Sequence, residues 1–305
     1  MTPISSETIL VFTGVTAGFG EKALDLLLHK AQAPIFIGVR DPNRVRPEVS
    51  EKVTVLHLDL ANLESVAAFC AAIAARGTVG GLVLNAGLSP RTLRLSEDGI
   101  DLAFQTNYLS HFAIIQSLWK QLADDAHVII TSSGTHDPAE KTPPPPPRHA
   151  DARLLAWPKT DPELDKSKAK AASRSYTASK LCCTMLSLEV AARRPQGISI
   201  SFDPGLVPGT GLTREFPGWL IRLLMPVMTR MMPADRTSNL PASATALAQF
   251  MARTAPVGVN GDYVAMRGGY PVVVPPSVMV QDADLRAALW HDSQAILAEA
   301  KNWPG

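Results

Sequence analysis

The chain has 305 residues, 46% of them apolar, with 29 Lys and Arg against 28 Asp and Glu for a net charge of +1. That length allows a sizeable buried core, and the balanced, interspersed charge excludes the basic footprint of a nucleic-acid binder. No apolar run reaches the roughly 18 residues of a membrane span, the N-terminus lacks a basic-then-apolar leader, and three cysteines without metal-ligand spacing, Cys70, Cys182 and Cys183, fit a reducing, cytoplasmic setting.

Two patterns alternate through the first half. Short apolar runs occur at 8–14, 34–40, 53–60, 81–87 and 127–133. Their unbroken hydrophobicity predicts strands buried on both faces. Helical spacing lies between them, in EKALDLLLHKA, NLESVAAFCAAIAARG and DLAFQTNYLSHFAIIQSLWKQLA. The rhythm stops at 134–168, a polar stretch with five prolines at 143–147. That tract cannot be helix or central strand and reads as an extended, disordered surface excursion. A helix over 174–194 and a strand over 198–205 follow, then an apolar, basic, methionine-rich segment at 206–242. A helix near 243–253, a strand in DYVAMRG and a helix near 282–300 complete the chain. Strand–helix alternation with short links predicts an α/β, doubly wound fold with a central parallel sheet flanked by helices. No linker separates two cores, which predicts a single domain over 1–305 with two insertions.

Residues 13–20, TGVTAGFG, join the first strand to the first helix. Gly14 permits a tight turn there, Gly18 lets backbone approach a pyrophosphate, and Gly20 lets the helix pack closely on the sheet. Arg40 ends the second strand and Arg44 lies nearby. Guanidinium groups make charge-assisted, forked bonds to a 2′-phosphate, which favours NADP(H) over NAD. Asp41, one place later, can be read either as the acidic residue of an NAD site or as the cap of the following turn.

Tyr176 and Lys180 are four residues apart on a predicted helix and share a face. An adjacent ammonium favours the phenolate, lowering a phenol from its ordinary value of about 10. The pair suits carbonyl/alcohol interconversion. Ser132 and Ser133 end the fifth strand, at the carboxyl edge where ligands of such sheets bind. A serine hydroxyl there can hold a substrate oxygen. Asn85 ends the fourth strand, and Asn107 lies inside a helix where Asn is a poor former. His136 reads as a solvated loop residue, and Cys182 and Cys183 as helix packing.

Together these motifs resemble the short-chain dehydrogenase/reductase family, from Thr13 to about Thr210. The resemblance implies a Rossmann-type fold and a catalytic tetrad of Asn107, Ser133, Tyr176 and Lys180. It implies a cofactor track through Thr13, Gly14, Thr16, Gly18, Phe19, Gly20, Arg40, Asp59, Leu60, Asn85, Ala86, Gly87, Tyr176, Lys180, Pro204, Gly205 and Thr210. It also implies that protomers pair as a homo-oligomer, most simply a dimer, through the helices holding Asn107 and Tyr176. The stretch between Ser133 and Tyr176 is far longer than the family's usual dozen residues, so Ser133 is the less secure member of the tetrad.

GVRDPNR, TNYLSHF and DPGLVPGTGLTRE are similar to the retinol dehydrogenase and protochlorophyllide reductase branch. Leu206 stands where the light-dependent reductases carry cysteine, which argues against pigment photochemistry. The family places a substrate lid at 213–232, where Phe216, Trp219, Leu223, Met225, Met228 and Met231 are apolar. Such a lid suits a bulky apolar carbonyl or alcohol, ahead of plain core packing, with membrane contact third. The readings are an NADPH-dependent carbonyl reductase, a reductase of a carbon–carbon double bond, and a nucleotide sensor that has lost the chemistry.

Overall fold

Leu10, Val11 and Phe12 offer side chains to both faces of a strand, and only cover on both sides buries them all. In the computed structural model, which describes residues 6–207, 236–255, 257–300 and 303, this run is β1 (Ile9–Thr13), buried throughout. β2 (Ile35–Val39) and β4 (Val79–Leu84) are buried in the same way, whereas β3 (Thr54–His57) is half-buried. β5 (Leu122–Thr131), β6 (Ile198–Asp203), β7 (Tyr263–Arg267) and β8 (Tyr270–Val273) follow. They form one eight-stranded sheet in the order β3-β2-β1-β4-β5-β6-β7-β8. All neighbours are parallel except β7 and β8. The predicted α/β, doubly wound architecture is therefore present, with β8 an unanticipated antiparallel edge.

Helices cover both faces. α1 (Gly18–Leu28) and α8 (Leu240–Met251) pack together on one side, where Leu24, Leu27, Leu247 and Phe250 join a core with Phe12 and Ile37. α3 (Leu63–Ala74) and α5 (Ser110–Ser117) cover the other, with α7 (Lys168–Arg193) and α10 (Ala283–Glu299) beside them. Short helices α2 (Pro47–Ser50), α4 (Leu102–Phe104), α6 (Ala152–Ala156) and α9 (Val278–Gln281) lie in the connections. Side-chain caps set several starts. Asn62 accepts from the Ser65 N–H at 2.9 Å, and Asn239 from the Ala242 N–H at 2.8 Å.

Three expectations need correction. The helix placed over 101–123 is interrupted. After α4 the chain widens into an i→i+5 turn at Gln105–Leu109 before α5, and β5 begins as early as Leu122. α7 starts at Lys168, six residues ahead of the predicted 174. The proline tract is docked rather than loose. The Thr177 hydroxyl donates to the Pro145 carbonyl at 2.8 Å, and the Arg174 guanidinium donates to the Pro146 carbonyl. The ion pair Arg148–Asp161 at 3.0 Å ties the excursion to itself, and Arg174–Asp165 at 2.6 Å fastens it onto α7.

Of the 206–242 segment, residues 208–235 lie outside the described residues, and with them Thr210 and the lid residues from Phe216 to Met231. Its far root is held at Arg236, whose guanidinium pairs with Glu140 at 2.9 Å. No helix among the described residues is long and apolar enough to cross a membrane.

Candidate active site

The carboxyl ends of β1, β4, β5 and β6 meet at one edge, and short polar side chains lock them together. The Thr13 hydroxyl donates to the Val83 carbonyl at 3.3 Å and accepts from the N–H groups of Asn85 and Ala86 at 3.0 and 3.2 Å. The Asn85 amide donates to the Gly14 carbonyl at 2.8 Å and accepts from the Thr131 hydroxyl at 3.0 Å. Gly14 has φ +74° and Gly18 φ +67°, a region costly for other residues. A Cβ on Gly14 would lie 2.6 Å from the Ala86 nitrogen, and one on Gly20 would collide with the Gly14 carbonyl. The loop therefore brings bare backbone to the start of α1, whose Ala17 N-cap supplies no side-chain hydrogen bond. The unanswered N–H groups of that first turn are donors suited to a diphosphate.

Other track residues vary in what they offer. The Asp41 carboxylate accepts from the Asn43 N–H at 3.0 Å, which is the capping alternative of the two. That leaves Arg40 and Arg44 without a charged partner among the described residues. Phe19 packs edge-on against Phe202 at 6.4 Å, so its ring belongs to the core. Asp59 turns its carboxylate onto the Ala61 N–H at 2.9 Å, and Leu60 is buried. Gly205, at φ +72°, follows Pro204 at the end of β6.

The four expected catalytic residues converge on this edge. Asn107 sits in the widened turn, fully buried. Its side chain accepts from the Leu88 N–H at 2.8 Å and donates to the Leu88 carbonyl at 3.0 Å and the Ser179 hydroxyl at 2.9 Å. The Asn107 carbonyl accepts from His111 Nδ1 at 2.9 Å and Cys183 Sγ at 3.1 Å. Lys180 is buried and donates to the Thr131 carbonyl at 2.8 Å. A Cβ added to Gly87 would stand 3.1 Å from Asn107 Oδ1 and 3.6 Å from Lys180 Nζ, which places that exposed glycine directly over both.

Tyr176 is buried, and its phenol lies near enough to the Ser133 side chain to be lowered by it. Against the lowering expected from Lys180, burial raises the phenol above its ordinary value, the Ser133 side chain lowers it, and the Asp203 carboxylate raises it further. Burial likewise lowers the Lys180 ammonium, opposed by Cys183 and Asp203. Ser132 is turned away. Its hydroxyl donates to the Lys180 carbonyl at 3.0 Å and lies 2.6 Å from that of Thr184. The second serine, not the first, faces the tyrosine.

His136 is not a solvated loop residue; it is completely buried. Its Nδ1 donates to the Ser133 carbonyl at 2.8 Å, and its Nε2 accepts from the Ser277 N–H at 3.3 Å. Its ring meets Tyr263 edge-on at 4.7 Å. The Tyr263 hydroxyl donates to Asp203 at 3.0 Å, and the same carboxylate accepts from the Gly205 N–H at 2.9 Å. The contacts that bury His136 and join it to Asp203 through Tyr263 and Ser277 are far apart in sequence, which is why these residues had no signal in the chain.

Known proteins share this arrangement of chain and sheet. Residues 8–141 match the short chain dehydrogenase family. The WW domain-containing oxidoreductase of Danio rerio is 27% identical over 316 residues, covering 98% of this chain and 70% of that protein. The chloroplastic protochlorophyllide reductase of Chlamydomonas reinhardtii is 28% identical over 227 residues, covering 67% of this chain and 57% of that protein. The chain thus spans between 57% and 70% of these relatives. A crystal structure of an uncharacterized Mycobacterium paratuberculosis protein superposes with a TM-score of 0.70 at 21% identity, covering 99% of this chain and 97% of that one.

Proposed function

We propose, for a chain that belongs to the short-chain dehydrogenase family, an NADPH-dependent oxidoreductase that interconverts a carbonyl and a secondary alcohol on a bulky apolar substrate. The observation that carries this reading is the convergence of Ser133, Tyr176, Lys180 and Asn107 at the sheet edge beside the glycine loop. In this reading the whole chain works as one domain in the cytoplasm.

The residues present fit a nicotinamide dinucleotide. Gly14, Gly18 and the uncapped start of α1 would take its diphosphate, and Arg40 and Arg44 its 2′-phosphate. Bound there, such a cofactor would supply or accept hydride at the substrate carbon. Ser133 would hold the substrate oxygen, and Tyr176 would give that oxygen its proton. A buried phenol raised above its ordinary value is protonated at neutral pH, which suits it to act as the acid in reduction. Lys180 would place its ammonium beside the cofactor ribose, and Asn107 would hold the Leu88 turn that roofs the pocket.

The test is NADPH oxidation over a panel of apolar ketones, aldehydes and quinones, run beside Tyr176→Phe. Turnover of at least one carbonyl is expected, falling about 10²- to 10⁴-fold in the variant. NADPH binding with no turnover across the panel, unchanged by the substitution, would instead identify a nucleotide sensor.

A further inference from the structure

Residues 134–175 separate Ser133 from Tyr176 in the chain, so no short connection sets the distance between their hydroxyls. A misplacement of about 1 Å is costly in such a site. The hydrogen bonds made to Ser133 come from its own turn, where the Thr135 N–H reaches its hydroxyl at 3.3 Å and the His136 N–H its carbonyl at 3.1 Å, and that turn is backed by β6, β7 and the segment before α9. The Ser133 carbonyl accepts from His136 Nδ1 at 2.8 Å. The far nitrogen of that imidazole accepts from Ser277 at 3.3 Å, so both ring nitrogens are engaged and the ring cannot turn. Tyr263 closes the ring face at 4.7 Å, and its hydroxyl is fixed by Asp203 at 3.0 Å. Asp203 in turn lies directly under the serine turn, since a Cβ on Gly134 would stand 3.1 Å from its carboxylate.

The geometry points to a buried brace, His136–Tyr263–Asp203, that positions Ser133 against Tyr176 in place of a short intervening loop. The inference rests on the function proposed above. His136, Tyr263 and Asp203 are positioning residues here and act only through Ser133. The brace requires one protonation state. His136 must be neutral with its proton on Nδ1, because its Nε2 is an acceptor. The charged groups facing the ring are Asp203 from β6 and Asp137 from its own turn, both of which favour the imidazolium, and burial opposes them and wins. Ser277 and Tyr263 are the uncharged groups facing it from the elements packed against it.

His136→Leu is expected to lower kcat about 10- to 100-fold with the KM for NADPH unchanged. His136→Asn, whose amide can donate from the place of Nδ1, is expected to restore most of that loss. In a Ser133→Ala background, His136→Leu should cost nothing further, because the two act as one unit. Losses that multiply across the two sites would overturn the brace. A second measurement uses the unmodified protein. Imidazole ¹⁵N correlation spectra should show His136 neutral and protonated on Nδ1 down to about pH 6, where an ordinary histidine is largely charged. An Nε2-protonated ring, or an imidazolium at that pH, would overturn the brace whatever the activity. If instead no carbonyl is reduced and Tyr176→Phe changes nothing, the proposed function fails while the spectra still decide the brace.

Discussion

Arg40 and Arg44 stand at the end of β2 with no ion-pair partner among the described residues, while neighbouring Arg46 is committed to Glu21, Asp25 and Glu48. A guanidinium pair with no ion-pair partner, near the glycine loop, supports the proposed preference for NADPH. Charge-assisted bonds of this kind contribute about 1.5–3 kcal/mol each. Arg40→Ala and Arg44→Ala are each expected to raise the KM for NADPH about tenfold or more and to leave that for NADH within a factor of a few. Steady-state kinetics with both cofactors would check this, and equal losses for the two would remove the case for the 2′-phosphate. Single residues were legible in the sequence where a short motif carried them. Tyr176 and Lys180 share a helix face as their spacing implied, and the resemblance grouped Gly14, Asn85 and Asn107 with them at the sheet edge. Ser133 was legible over Ser132 only through the resemblance, and the reason is physical: Ser132 points into α7 and Ser133 out of it. His136 was misread because its burial is made by Tyr263 and Ser277, more than a hundred positions away.

At the scale of elements, the break between α4 and α5 is the feature that period counting cannot detect. One extra residue in a helical turn leaves the apolar spacing nearly intact. Yet that turn places the Asn107 carbonyl before Cys183 and His111 rather than in the regular ladder. Asp101 starts this element and ties it to the catalytic helix. Its carboxylate accepts from the Phe104 N–H at 2.9 Å and from the hydroxyl of Ser175, the residue just before Tyr176. Its second oxygen is buried with no hydrogen bond. Burial raises the Asp101 carboxyl above its ordinary range, against the Ser175 hydroxyl and the Phe104 N–H. A raised folded-state value means the fold favours the neutral acid. Its contribution is fully present below the ordinary carboxylate value and declines as pH rises through the raised one. Asp101→Asn is neutral at every pH and keeps an acceptor for both donors. Its urea midpoint is expected to exceed that of the unmodified chain at pH 7, with the gap closing toward pH 4. A gap independent of pH would show that the carboxyl does not titrate in that way.

For the molecule as a whole, the strands were the most readable feature. β1, β2 and β4 are covered on both faces and so appear as unbroken apolar runs. β8 escaped notice because it is short, carries Pro271 and lies at the sheet edge with Tyr270 exposed. The far half of the chain bears on how copies of it would associate. Every residue of α7 from Tyr176 to Ser187 is buried within the one chain. α6, α9 and α10 all pack against α7 or its neighbours. Trp290 of α10 meets Phe112 edge-on at 5.0 Å, Ser293 bonds the Tyr108 hydroxyl at 2.8 Å, and Arg193 lies 4.3 Å over the Trp290 ring. The helices through which two protomers would pair are thus already covered by the chain's own C-terminal elements. Light scattering after size exclusion is expected to give 32.7 kDa rather than twice that mass. A stable dimer that survives dilution and is broken by substitution on α5 or α7 would contradict this.

The same enclosure gives the molecule a built-in chemical clock. Cys182 and Cys183 lie fully inside it, and burial makes both thiols less acidic than usual, so little thiolate forms. Iodoacetamide should therefore find them only in molecules whose Tyr176 helix has come away from its neighbours. Alkylation of this vicinal pair, followed by mass spectrometry, would read how often that happens, and occupation of the cleft above the glycine turn should slow it.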